Sequence, residues 1–205
     1  RPPPNVEIKS IRQELGAQSK TTIILFSGKF HPEKAPLDLL KAFSKISAQN
    51  TMLVFAGSGE QQEVLMQTVT AQKLDNVRFL PFANQSAMPS RYGIADLFVL
   101  PSVGLYETWG LAVNEAMHSG VPCVVSDRVG CAPDLIKDGV TGWVFPAGKV
   151  DLLAQKLQEA LKGISDSKSQ ATLATNIEER INQYTYAQTT TGLLRALVAV
   201  KESPS

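Results

Sequence analysis

TTIILFSGKFHPEKAPLDLLKAFSKISAQNTMLVFAGSGE, residues 21–60, decides the fold. Its two short runs, TTIILFS at 21–27 and MLVFA at 52–56, are apolar nearly throughout and rich in β-branched and aromatic side chains. A strand without polar alternation is buried on both faces. Between the runs, Leu37, Leu40, Ala42, Phe43 and Ile46 fall on one side of a helix over 36–47. Strand, helix, strand, with both strands doubly buried, is a parallel unit covered by its crossover helix.

The same alternation continues on either side. Further strands are expected at 77–82, 96–100, 121–125 and 142–145. Helices are expected at 6–15, ending on Gly16, and at 60–72, 86–92, 111–119, 132–136 and 150–161. Gly120 is the stop signal for the helix over 111–119. Two more helices, near 166–181 and 187–201, have no strand between them; they pack across the domain or reach toward another part of the protein. The expected fold is α/β, a doubly wound Rossmann-like parallel sheet of about six strands. The expected division is a linker and short helix over 1–19, the Rossmann-like domain over 20–162, and C-terminal helices over 163–205. A chain that opens on Pro2, Pro3 and Pro4 without a methionine reads as a piece of something longer.

Composition narrows the function. The 205 residues are 43% hydrophobic and 19% charged, which excludes disorder, collagen and coiled coil. A net charge of +1 argues against a nucleic-acid partner. The charge is sorted, however: residues 1–50 carry eight basic and four acidic side chains, and residues 101–150 carry three and five. Cys123 and Cys131 are too few for a disulfide scaffold and are expected as buried thiols. With no C-x-x-C and only His31 and His118, a structural zinc site is not expected.

Ligands of such sheets bind at the carboxyl ends of the strands. After the first strand, Gly28, Lys29 and Lys34 form a turn ahead of a helix, a pattern suited to an anion or to two solvated lysines. His31 lies in the same turn, whereas His118 is expected as a surface or packing residue. After the second strand, Gly57-Ser58-Gly59 resembles the start of a dinucleotide fingerprint, but Gln62 stands in place of its third glycine, and a plain tight turn reads better. After the fourth, a long connection carries Glu107 and leads into a helix holding Glu115. Gly110 separates the two, so Glu107 is expected in the loop and Glu115 in the first turns of the helix. The free N–H groups of Gly110 and Leu111 can bind phosphate there. Carboxylates beside such a site suit hydroxyl donors such as those of a ribose or a hexose. After the fifth strand, Arg128 serves an anion or pairs with Asp127.

The stretch from Glu107 through Thr108, Trp109, Gly110 and Leu111 to Glu115 matches the E-x7-E motif of retaining glycosyltransferases of family 4. The chain resembles their carboxyl-terminal, donor-binding domain, one half of the two-domain GT-B fold. GKFHPEKA at 28–35, LVFAGSGE at 53–60, PSVGLYETWGLAVNEAMHSGVPCVVSD at 101–127 and DGVTGWVFPAG at 138–148 follow in the family's order, so the resemblance covers about 20–162. It implies that Lys29 and Lys34, beside Gly28, contact the donor diphosphate and assist its departure, with Gly57 nearby. Glu107 would contact the hydroxyls of the transferred sugar, and Thr108, Trp109, Gly110 and Leu111 would line the site, Gly110 and Leu111 giving amides to phosphate. Glu115 would take the ribose hydroxyls, with the base near Phe82 and Met88. Lys29 replaces the family's Arg and loses its bidentate fork; Ala35 replaces a glycine, and Pro81, Trp109, Cys131 and Asp134 also depart.

The resemblance implies transfer of a hexose from a nucleoside-diphosphate sugar, most simply UDP-hexose, to an acceptor hydroxyl in polysaccharide or glycoconjugate synthesis. No metal is required, in keeping with the absence of an Asp-x-Asp motif. The partner implied is an N-terminal acceptor domain of the same chain, without which the fragment is expected to be inactive. Location in the cytoplasm is expected, with room for peripheral membrane contact through that other half. The alternatives are a non-catalytic nucleotide-sugar-binding module, or a NAD-dependent oxidoreductase domain using Gly57, Gly59 and Asp75.

Overall fold

Six parallel strands in the order β3-β2-β1-β4-β5-β6 form the centre of the molecule in the computed structural model, which describes residues 5–46 and 49–202. They are β1 (Thr22–Ser27), β2 (Thr51–Ala56), β3 (Val77–Leu80), β4 (Leu97–Leu100), β5 (Cys123–Ser126) and β6 (Gly142–Phe145). The order reverses between β1 and β4, which is the crevice where doubly wound sheets hold their ligands. The helices are α1 (Asn5–Glu14), α2 (Pro36–Ser44), α3 (Gln62–Ala71), α4 (Met88–Gly93), α5 (Leu111–His118), α6 (Ala132–Leu135), α7 (Val150–Ser165), α8 (Ser167–Ile181) and α9 (Tyr186–Glu202). The expected prolines 2–4, the helix end at Ser47 and residues 203–205 lie outside the described residues.

The strands β1, β2, β4 and β5 are buried on both faces, as their apolar runs require, while edge strand β3 is only partly buried. Ile23, Ile24, Leu25, Phe26, Leu53, Val54 and Phe55 have no exposed surface. Helix α2 packs on α3 and α7, while α5 packs on α4 and α8. The rings of Phe26, Phe30, Phe55 and Phe79 pack tilted, edge-on or stacked, 5.6–6.4 Å between centroids. Burying such side chains is the main driving force for the fold.

Several element ends differ from expectation: β2 starts one residue early, β5 starts at Cys123 rather than 121, and α3 and α4 each start two residues late; three further differences have a local reason. Strand β4 starts at Leu97 because the Asp96 carboxylate accepts the Ile23 amide (2.7 Å) and an Arg12 guanidinium N–H (3.3 Å). Strand β3 stops at Leu80 because Pro81 has no N–H to extend the ladder. The loop after β1 holds a one-turn 3-10 helix, Pro32–Lys34, which periodicity does not show in three residues. Helix α9 keeps Leu193, Leu194, Leu197, Val198 and Val200 exposed. Among the described residues, no helix is long and apolar enough to cross a membrane.

Candidate functional site

The loop after β1 is built on the loop after β2. The Gly28 amide donates to Ala56 O (3.0 Å), Phe30 to Ser58 O (2.9 Å), and Gln61 to Phe30 O (2.9 Å). A Cβ on Gly57 would land on the Gly28 carbonyl oxygen, and one on Gly59 would lie 2.6 Å from the Phe30 oxygen. These glycines therefore let two backbones meet, which explains the Gly-x-Gly spacing without a dinucleotide. Asp75 precedes β3, so it sits at the amino edge of the sheet, opposite Gly57. That placement removes it as the ribose acid of an oxidoreductase site.

His31 caps the 3-10 turn: its Nδ1 accepts the Glu33 amide (3.4 Å), while Nε2 lies 3.6 Å from Glu60. The next residues carry the loop toward β4. The Glu33 carbonyl accepts the amides of Val103 (2.8 Å) and Gly104 (3.2 Å), which joins the turn to the β4–α5 connection. Ala35, at φ 51°, ends the turn and starts α2 in the left-handed conformation. The family glycine that Ala35 replaces is thus a position whose backbone suits glycine.

Lys34 reaches across the crevice to Glu107. The Lys34 ammonium and the Ser102 hydroxyl (2.9 Å) both donate to Glu107 Oε2. Ser102 is buried, and its own carbonyl accepts the hydroxyl of buried Ser126. The main chain at Glu107 is braced by the loop that follows β5. Gly130 donates to Glu107 O (2.9 Å) and Cys131 to Trp109 O (2.7 Å). A Cβ on Gly130 would collide with the Thr108 carbonyl oxygen. Gly110, at φ 92°, starts α5, and no side chain among the described residues caps that helix. The first-turn N–H groups and the positive end of the helix dipole are therefore left without a side-chain cap, at the end of the connection that follows β4.

Glu115 sits in the second turn of α5. Its Oε2 accepts the Tyr92 hydroxyl (2.8 Å) and its Oε1 the Gln85 amide (3.1 Å). Tyr92 is buried, edge-on to Phe98 at 5.7 Å. Burial first, then the Glu115 carboxylate, push the phenol far above its usual range, so it remains a donor. Glu115 lines a cavity of about 1160 Å³ with Met88, Tyr92, Trp109, Leu111 and Tyr184. The Trp109 ring packs at 5.9 Å on Tyr184, which follows α8.

Of the expected site residues, Lys34 and Glu107 are in direct contact, and Met88, Trp109, Leu111 and Glu115 share the cavity. Gly28 and Gly57 meet below the first loop. Lys29, Phe82 and Thr108 are exposed and line no part of that cavity. His118 is exposed on the cavity wall. Arg128 has no ion pair among the described residues, and Asp127 instead accepts the Ala147 amide (2.9 Å). Cys123 and Cys131 are free and buried, and burial pushes the Cys131 thiol up to about 12. Sequence reasoning missed Tyr92, Gln85, Ser102 and Gly130. Among the described residues, no group of three His, Cys, Asp or Glu side chains could hold a metal ion.

A family model of the glycosyl transferases group 1 matches residues 7–180. The chain belongs to that family. Among curated relatives of this glycosyltransferase domain, an uncharacterised glycosyltransferase of Methanocaldococcus jannaschii is 37% identical over 140 residues, covering 67% of this chain and 35% of that one. A D-inositol 3-phosphate glycosyltransferase of Mycolicibacterium smegmatis is 29% identical over 187 residues, covering 89% and 41%. The chain thus spans less than half the length of these two relatives. In architecture it is similar to Anabaena HepE in complex with UDP, with a TM-score of 0.82 at 24% identity, covering 96% of this chain and 54% of that one.

Proposed function

We propose that this chain is the donor-binding half of a retaining, family 4 glycosyltransferase of the GT-B type, which moves a hexose from a nucleoside-diphosphate sugar to an acceptor hydroxyl. The observation that carries this reading is the arrangement at the switch point. A lysine–glutamate pair and an uncapped helix N-terminus stand beside a second carboxylate that faces a cavity. As the sugar–phosphate bond breaks, negative charge grows on the departing diphosphate. In this reading Lys29, Lys34 and the α5 amides offset it, with no metal required. Glu107 takes hydroxyls of the transferred sugar, and Glu115 takes those of the ribose. Gly28 and Gly57 shape the phosphate loop, Thr108, Trp109, Gly110 and Leu111 line the site, and Phe82 and Met88 are nearest the base.

A UDP-sugar is the proposed donor, supported by the similarity to HepE, whose structures are of complexes with UDP, with UDP and glucose, and with UDP-glucose. Residues 20–162 are the nucleotide-sugar unit, flanked by a linker with its helix and by the C-terminal helices. The acceptor is taken to bind an N-terminal half of the same protein, and the exposed leucines and valines of α9 suit contact with it. Alone, the chain binds donor without turnover. Its setting is the cytoplasmic synthesis of polysaccharide or glycoconjugate, with membrane contact left to the other half.

A thermal-shift panel of UDP, GDP, ADP and NAD tests this reading. One nucleoside diphosphate should stabilise the chain by about 2.7 kcal/mol at a hundred times its Kd. A shift with NAD and with no diphosphate overturns the proposal. Glu115→Ala should weaken UDP binding about tenfold, the scale of one or two lost hydrogen bonds. Glu107→Ala should leave UDP within about threefold while removing the extra affinity of UDP-hexose.

A further inference from the structure

We infer that Tyr92 is a positioning residue that orients the Glu115 carboxylate for the paired hydroxyls of a ribose, and so sets the preference for a ribonucleotide over its deoxy counterparts. The inference rests on the reading of Glu115 given above and deepens it.

An ionised carboxylate has about four acceptor positions on two oxygens. In this structure Glu115 gives one position on Oε2 to Tyr92 and one on Oε1 to Gln85. The two donors differ in permanence. Tyr92 is 2% exposed, its ring is fixed edge-on against Phe98 of β4, and its hydroxyl points at Glu115 from the neighbouring helix α4. Gln85 is an exposed residue in the loop ahead of α4. That loop is closed by Asn84, whose side-chain oxygen accepts the Ala87 amide (3.1 Å) and the Ser86 hydroxyl (2.8 Å). Gln85 therefore exchanges with solvent or with a ligand at little cost, while Tyr92 cannot leave without opening the core.

A carboxylate on a free side chain rotates among several orientations, and a two-point contact with a diol selects one of them. The buried phenol fixes that orientation before the ligand arrives. The two hydroxyls then take the Oε1 position that Gln85 gives up and a remaining position on Oε2. Removing the phenol oxygen leaves Glu115 able to accept hydrogen bonds but free to turn. The sign is specific: loss of Tyr92's hydroxyl lowers the advantage of hydroxyl-bearing ligands more than the affinity of ligands that lack them. A purely structural tyrosine would lower all affinities alike and leave their ratio unchanged.

The test measures Kd by calorimetry for UDP, 2′-deoxy-UDP and 3′-deoxy-UDP with four forms of the chain: unsubstituted, Glu115→Ala, Tyr92→Phe and Gln85→Ala. Melting temperatures report whether each remains folded. The unsubstituted chain should prefer UDP over each deoxy ligand about tenfold. Glu115→Ala should abolish that preference, Tyr92→Phe should reduce it to about threefold or less, and Gln85→Ala should retain it. Tyr92→Phe removes a single oxygen and keeps the ring, so the packing on Phe98 stays. Should it nevertheless melt early, the same three Kd values are measured below its melting point, where a ratio reduced to about threefold or less supports the role and a full ratio overturns it. Survival of the full preference in Tyr92→Phe, with loss in Glu115→Ala, overturns the role of Tyr92 alone. No preference in the unsubstituted chain, or its survival in Glu115→Ala, overturns the reading of Glu115 itself.

Discussion

Glu107 and Glu115 belong to one motif, yet the protein holds them by opposite means. Glu107 lies in a loop, paired with a cation from across the crevice and with the buried Ser102 hydroxyl. Glu115 lies in a helix, held by two neutral donors. An ion pair can be divided between the two ends of a ligand, the cation going to phosphate and the carboxylate to hydroxyls. A carboxylate with neutral donors keeps its full charge available and differs only in which way it points. One site is thus organised by charge and the other by orientation.

The harshest way to break the comparison is Gly130→Ala. A methyl group there strikes the Thr108 carbonyl and displaces the loop that carries Glu107, while Glu115 is anchored elsewhere. Urea denaturation should show a loss of about 3 kcal/mol, the upper range for an added carbon in a closed space. Sugar-dependent affinity should fall further than affinity for the bare nucleotide.

A double-mutant cycle sharpens the contrast. Lys34→Ala and Glu107→Gln should show a coupling of about 1 kcal/mol that shrinks when salt is raised. Tyr92→Phe and Glu115→Gln should couple by a similar amount, about 1 kcal/mol, with little response to salt. Equal salt dependence in the two cycles would erase the distinction between charge and orientation.

A smaller effect tests the anchor of Lys34. Ala35→Gly relieves a left-handed alanine directly after it. Denaturation should show a gain of about 0.5–1 kcal/mol, the left-handed penalty less the extra freedom of glycine when unfolded. The smallest lies outside both sites. Asp166 caps α8 by accepting the Ser169 amide (2.8 Å), and the hydrogen bonds from Ser169 hold its carboxyl below the usual range. A lowered folded pKa means that the contribution is present above the unfolded value, about 4, and is lost as pH falls through the folded one. Asp166→Asn should flatten the acid end of the stability curve and leave stability near pH 7 almost unchanged, because Asn also caps helices.

The sheet was legible because its strands are apolar without alternation and its helices keep their own period, so each run at 21–27 or 52–56 states its environment locally. That Lys34, Glu107 and Glu115 follow the carboxyl ends of strands was legible because an apolar run followed by a glycine turn marks such an end. Their supports were not. Tyr92 and Glu115 are 23 residues apart, and Ser102 and Ser126 are 24 apart. Nothing in either stretch announces the meeting. Gly57 and Gly59 show the reverse difficulty: one spacing serves a dinucleotide or a backbone contact, and only the position of Gly28 and Phe30 beneath them decides. The displaced ends of β3 and β4 followed from single residues, Pro81 and Asp96, whose backbone and side-chain roles an apolar count does not weigh.

The bonds from Val103 and Gly104 to Glu33 have a consequence for how tightly anything can be held between β1 and β4. Two separate flexible loops would each lose conformational freedom when a ligand closed on them. Here that loss has already been incurred during folding, because the turn at Pro32–Lys34 and the stretch before Glu107 form one wall. A ligand entering the crevice spends its contacts on recognition rather than on ordering the protein.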